Sequence, residues 1–359
     1  MSVPKFDPKE LNIVSEISSF PGAPTISVYS FPVTPREAVI AMYKREAVWQ
    51  ITGMEQKMFN PRINPDNIVK ALVSDGPGRL AAAGGKDIFG IEWEYVAQVG
   101  GSTVRPGTPF LADANEWYDK VVWPDIDSWD WAGAAKENEQ YLATDNYVIS
   151  YLFTGWYERL ISFMDFEPAI MAMVDEDQTD AVKALFDKLS DLYIRIIDKY
   201  LEYFPQIDGF CVHDDWGSQK DTFFSPAIVT EMIVPYMKRV TDHLHSKGKF
   251  CDLHSCGQLF KQIPNIIAAG WDSWSGQLEI NDFTKLYDAF GDKLIIGIAT
   301  DPSVSPAASE DELRAAAVDF ADKFCDAKKP SMLNFYSNMS LPRVFREELY
   351  IRSREHYSA

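Results

Sequence analysis

The chain has 359 residues, with 34 Lys and Arg against 53 Asp and Glu, a formal net charge of −19. That balance excludes a nucleic-acid binder or a ligand of acidic membrane surfaces, either of which needs basic surface. Hydrophobic residues at 46% and aromatics at 13% suffice for a large core, which excludes a disordered chain.

Residues 1–33, rich in Pro and Ser, read as an N-terminal arm. The opening MSVPKFDPKELN is charged and has no apolar signal core, and no run of about 18 apolar residues follows. A first helix is expected at Thr34-Pro35-Arg36-Glu37, where Thr34 caps, Pro35 suits the first turn and Glu37 reaches back. Residues 47–52 (AVWQIT) read as a short buried strand. Residues 85–135 carry Trp93, Trp117, Trp123, Trp129 and Trp131 among many turn residues, without helical period. They read as a β-rich, loop-rich insertion whose aromatics either line a pocket or pack an irregular segment.

From residue 147 a regular alternation begins. Strands are expected at 147–153, 209–216, 249–257, 272–277, 294–301 and 331–338. Between them lie a long amphipathic helix through Val182, Leu185, Leu189, Leu192, Ile196 and Ile197, a Ser225-Pro226 helix start, and a helix beginning SEDELRAAAVDF. Strand and helix repeating about every 35 residues predicts a parallel sheet with right-handed crossovers. The expected fold is α/β, a (β/α)8 TIM barrel forming one domain over 1–359.

Working residues in such barrels stand at the C-terminal ends of strands. Here those ends read His213-Asp214-Asp215-Trp216, His254-Ser255-Cys256-Gly257, Gln277-Leu278-Glu279, Asp301 and Tyr336-Ser337-Asn338. His254 and Cys256 can converge on one ion, and zinc accepts imidazole nitrogen and thiolate sulfur. In isolation the pair reads more readily as a buried Cys beside a hydrogen-bonded His. Glu279, just past the next strand, can reach the same ion or stand as a solvated carboxylate. In Asp214-Asp215 the pleat sends neighbours to opposite faces, so one carboxylate faces the barrel mouth, as acid/base or metal-orienting group. Cys251, offset by three from His254, faces the helices, and His243 and His245 read as surface groups. Four cysteines at irregular spacing do not make a disulfide framework, which fits a reduced cytoplasmic protein.

HDDWGSQKDTFFSP, followed by HSKGKFCDLHSCGQLFKQIPNIIAAGWDSWSGQ, resembles the uroporphyrinogen decarboxylase superfamily, over about residues 34–345 and most strongly over 145–302. The resemblance implies a (β/α)8 barrel. The Arg-rich substrate element of true uroporphyrinogen decarboxylases has no counterpart in Trp49-Gln50-Ile51-Thr52-Gly53-Met54-Glu55. DIFGIEWEY, PDIDSWDW, GWYERLISFMDFE and HDDWGSQ resemble instead the corrinoid-dependent methyltransferases of anaerobic O-demethylase systems. That branch implies methyl transfer from a methoxylated, aromatic substrate to the Co(I) corrinoid of a partner protein, and often a homodimer. It implies zinc on His254, Cys256 and Glu279. The late Cys of related zinc sites is absent, which leaves a position for water, substrate, Asp301 or Tyr336. His213, Asp214 and Asp215 become catalytic candidates, and Trp93, Tyr95, Trp156, Trp216, Gln219, Gln277 and Tyr336 substrate-binding ones. The alternatives are a methylcorrinoid:acceptor methyltransferase and a metal-independent decarboxylase.

Overall fold

The computed structural model describes residues 5–17, 26–77, 84–98, 101–334 and 341–358. Among these, in chain order, are strands β1 (Ile13–Ile17), β2 (Ile26–Tyr29), β3 (Gln56–Met58), β4 (Gly85–Lys86), β5 (Glu92–Val96), β6 (Gly101–Val104), β7 (Tyr147–Thr154), β8 (Gly209–His213), β9 (Phe250–Ser255), β10 (Ser273–Gly276), β11 (Ile295–Ile298) and β12 (Met332–Leu333). Parallel strands alternate with helices, so the fold is α/β, of the TIM-barrel type. The chain divides into two compact units, one made of 1–56, 145–147 and 283–359, the other of 57–144 and 148–282.

The second unit holds the order β3-β7-β8-β9-β10. Strand β7, YVISYLFT, is buried at every position, the continuous apolar run of a parallel strand covered on both faces. The helix Thr179–Tyr203 buries Val182, Leu185, Phe186, Leu189, Leu192, Tyr193, Ile196 and Ile197, the 3-4 stripe expected of it. Ser225 caps the helix Pro226–Met232 by accepting from the Ile228 amide. Register is what matters for the site: Thr154 lies opposite His213, His213 opposite His254, and His254 opposite Ser275. One transverse row thus ends β7, β8, β9 and β10.

Antiparallel strands β4-β5-β6 form a small sheet in the aromatic insertion. The rest of that stretch departs from the expected loops. Trp117–Lys120 and Trp131–Leu142 are helices; the Trp117 and Trp131 indoles donate to the carbonyls of Ala181 and Ile126, and Asp130 caps the second by accepting from the Gly133 amide. The insertion is tied to the helix Trp156–Met164 through Arg159. Its buried guanidinium donates to Asp66 at 2.6 Å and to Asp87, and Asp87 also takes the Trp93 indole at 2.9 Å.

In the first unit β1 pairs antiparallel with β2, and β11 parallel with β12. Thr34 and Ser309 make the capping boxes expected for the helices Pro35–Tyr43 and Glu310–Phe324. The AVWQIT segment is buried but is not a strand. Only Ile51 bridges, to Met332, while Thr52 N–H is taken by Glu55, which diverts the backbone from a ladder. Glu10 is buried against Arg354, with two 2.9 Å ion-pair hydrogen bonds and a third bond from the Tyr350 hydroxyl.

Candidate active site

All the cluster residues below belong to the second unit. His213 closes β8 and His254 lies beside it on β9. Adjacent strands lie about 4.8 Å apart, and the two imidazoles stack with centroids 5.0 Å apart. Asp215 lies just past the end of β8. One donor atom each from His213, Asp215 and His254 lie within 4.8 Å of one another. Cys256 is not one of these three grouped donors, but its Sγ stands 3.5 Å from His254 Nε2, and its backbone amide donates to Asp215 Oδ1 at 2.6 Å.

Gly257 makes that loop possible. Its φ is +102°, and a Cβ there would stand 2.3 to 2.6 Å from backbone atoms of Gly217. The loops after β8 and β9 therefore touch backbone to backbone, and Gln258 N–H donates to Ser218 O at 2.9 Å.

Glu158, two residues into the helix that follows β7, holds His213 Nδ1 at 2.7 Å, and His213 Nε2 faces Asp215 Oδ1 at 3.7 Å. Burial opposes a charge on His213, but Glu158 and Asp215 outweigh it and push the imidazole up to about 10. His254 goes the other way. Burial, reinforced by the neighbouring His213, pushes it down to about 4, so its imidazole is neutral at pH 7. Burial and the Asp215 charge raise the Cys256 thiol.

Asp214 points away from this group. It is fully buried and accepts from the amides of Glu158 at 2.9 Å and Tyr157 at 3.3 Å and from the Trp216 indole at 3.0 Å. It satisfies the first amides of the helix Trp156–Met164, whose N-cap, Gly155, has no side chain to do so. A Cβ at Gly155 would lie 2.3 Å from Asp214 Cβ. Burial and the charge of Glu158 raise Asp214 to about 7 despite these bonds.

The donor set suits a zinc-like ion. Around tetrahedral zinc, ligand atoms stand roughly 3.4–3.6 Å apart, from zinc–nitrogen and zinc–sulfur distances near 2.1 and 2.3 Å. The 3.5 and 3.7 Å separations above match, and a carboxylate behind a histidine ligand is the usual orienting partner.

The other sequence candidates are dispersed. Glu279 is exposed, on backbone with φ +69°, and is not among the grouped donors. Gln277 accepts from the Gly257 amide at 3.2 Å and so braces the Cys256 loop. Trp156 and Trp216 are fully buried, Trp156 bonded to Ser190 on the long helix. Trp93 is buried on Asp87, Tyr95 and Gln219 are exposed, and Tyr336 lies outside the described residues. Asp301, exposed in the first unit, takes the Ser303 amide. A cavity of about 830 Å³ in that unit, between the end of β11 and the helix Glu310–Phe324, contains none of the clustered residues. Glu158 escaped the sequence reading. Its one signal was position, just after a strand that ends in line with His213.

No protein family matches the chain, and no curated protein does. Among solved structures it is similar to a methyltransferase from Methanosarcina mazei, with TM-score 0.60 and 13% identity over 91% of this chain and 100% of that one. A xylose isomerase domain protein from Alicyclobacillus acidocaldarius subsp. acidocaldarius gives TM-score 0.33 and 11% identity over 64% of this chain and 82% of that one, too slight to carry an argument. At 13% identity the first likeness, spanning nearly the whole chain, establishes the fold.

Proposed function

We propose that this chain is a methyltransferase that takes a methyl group from a methoxylated, aromatic substrate and passes it to the Co(I) corrinoid of a partner protein, with zinc held at the strand-end cluster. The reading rests on one observation, the convergence of His254, His213 and Asp215 at the ends of two adjacent parallel strands, with Cys256 Sγ beside His254 and Glu158 behind His213. The likeness to the M. mazei methyltransferase adds support.

In the reaction the methyl carbon–oxygen bond breaks, the oxygen keeps the electron pair and leaves as phenolate, and the methyl passes to the reduced cobalt. Zinc, when bound, supplies Lewis-acid stabilisation of that oxygen. The chain's own residues prepare the place. Neutral His254 and, on ionisation, the Cys256 thiol would hold the ion, with Asp215 and His213 Nε2 beside them and Glu279 offered from the next loop. Glu158 fixes the ring of His213 from Nδ1. Gln277 holds the Cys256 loop, and Tyr95 and Gln219, both exposed, are offered as substrate contacts.

A second reading is favoured by His213 itself, charged at neutral pH through Glu158. An imidazolium in that place can hold a carboxylate and serve a metal-free decarboxylation. Metal analysis separates the two. In the methyltransferase, His254→Ala/Cys256→Ser loses about one equivalent of zinc per chain and loses methyl transfer from methoxyarenes to a Co(I) corrinoid protein. Full transfer in that variant would sink the zinc-assisted reading.

A further inference from the structure

The opposite end of β9 carries a second group of donors that the proposed chemistry does not use. His245 ends the helix Val234–Ser246, Cys251 is the second residue of β9, and Asp272 immediately precedes β10. His245 Nε2 is 2.9 Å from Asp272 Oδ2 and 3.6 Å from Cys251 Sγ, and Cys251 Sγ is 3.4 Å from Asp272 Oδ2. We propose that His245 Nε2, Cys251 Sγ and Asp272 Oδ2 form a separate binding site for a thiophilic divalent cation, zinc foremost.

The geometry asks for little rearrangement. Nitrogen–sulfur and oxygen–sulfur pairs on tetrahedral zinc stand about 3.6 Å apart and nitrogen–oxygen pairs about 3.4 Å. The two sulfur distances agree within a few tenths of an ångström, and the 2.9 Å ion pair has only to open slightly. Asp272 is already oriented, because Cys251 N–H donates to the same Oδ2 at 2.8 Å. The buried thiol also lies 3.5 Å from the Gly270 carbonyl, so it can donate there or to Asp272 when no ion is bound, and its ionisation frees the sulfur for a cation. Cys251 is 1% exposed, while His245 is half open to solvent, so an ion has a way in and a fourth position open to water. The site joins a helix end to the starts of two strands, at the end of a barrel where residues serve stability. It is therefore a brace, independent of the methyl-transfer reading.

The test uses the full chain carrying His254→Ala/Cys256→Ser, which removes the strand-end ligands. Titrated with Co(II), this protein is expected to bind about one equivalent with a sulfur-to-cobalt charge-transfer band, and zinc is expected to raise its Tm. Adding Cys251→Ser abolishes the band. His245→Ala, a change at a partly exposed side chain, weakens binding at least tenfold with the far-ultraviolet circular dichroism unchanged. Absence of both the band and bound metal while Cys251 is intact overturns the proposal. So does a band that persists after Cys251→Ser. Loss of metal only with His254 and Cys256 would leave the methyltransferase reading standing and this one refuted.

Discussion

Glu158 shows how one carboxylate sets the character of a neighbour. Held at 2.7 Å on Nδ1, it fixes the ring of His213 and leaves Nε2 to face Asp215. Replacing an orienting carboxylate of this kind costs about 10–100-fold in metal affinity or activity. Glu158→Gln is thus expected to weaken zinc binding by that factor in a chelator competition, with the fold intact. An unchanged affinity would remove Glu158 from the site. Gly155 makes a different demand. A methyl group there meets Asp214 at 2.3 Å, so Gly155→Ala is expected to lose about 1–3 kcal/mol in urea unfolding, the usual cost of overpacking. Of these residues, His254 and Cys256 were readable as a pair because they lie two apart in sequence. The expectation for Asp214 and Asp215 assumed a strand running to 216, but β8 ends at His213, and beyond it Asp214 turns to the helix amides. Glu158 was not readable. Its partner is 55 positions away, and only the pairing of β7 with β8 joins them.

Helices and strands here are fastened by buried charge as well as by apolar packing. Arg159, on the helix after β7, answers Asp66, which caps the helix Asn67–Ala71, and Asp87, which anchors the insertion. All three side chains are without exposure. Removing one member of such a group leaves charge uncompensated, at about 3–5 kcal/mol. Arg159→Leu is therefore expected to lower the unfolding free energy by that amount, and a loss below about 1 kcal/mol would mean that the carboxylates find other partners. The order of strands and helices from 147 to 334 was legible because capped helices and apolar strands are local signals, although β8 stops at His213, short of the expected 216, and the expected strand 331–338 runs past the described residues. The helices Trp117–Lys120 and Trp131–Leu142 were not. The first is one turn long and the second buries only Trp131, Asn138 and Leu142, so a reading by period passes over them.

Across the molecule as a whole, acidity governs the response to pH. With 53 acidic residues, most pairs are exposed and contribute little. Glu10 is an exception. Burial tends to raise its pKa, but Arg354, Tyr350 and the Asp7 amide outweigh burial and hold it below the ordinary carboxylate range. A depressed folded pKa gives stability that is present above the unfolded value and lost as pH falls through the folded one. The Tm difference between wild type and Glu10→Gln is accordingly expected to be constant near neutrality and to shrink below about pH 4. A difference that grows on acidification would reverse the assignment. The fold class was legible at this scale from strand–helix alternation alone.

The crossing of Gly217 over Gly257 bears on how a bulky reactant arrives. Two loops in backbone contact, joined by the Gln258–Ser218 hydrogen bond and braced by Gln277, form a fixed wall beside Cys256. Such a wall cannot swing aside without breaking its amide hydrogen bonds, so its exchange with deuterated solvent should be slow, and as slow with substrate as without. In the proposed methyltransferase, admission of a methyl donor, and the pace at which the spent product departs, then falls to the other sides of the mouth. Turnover limited by release would respond to changes there and be indifferent to the stiffness of this one.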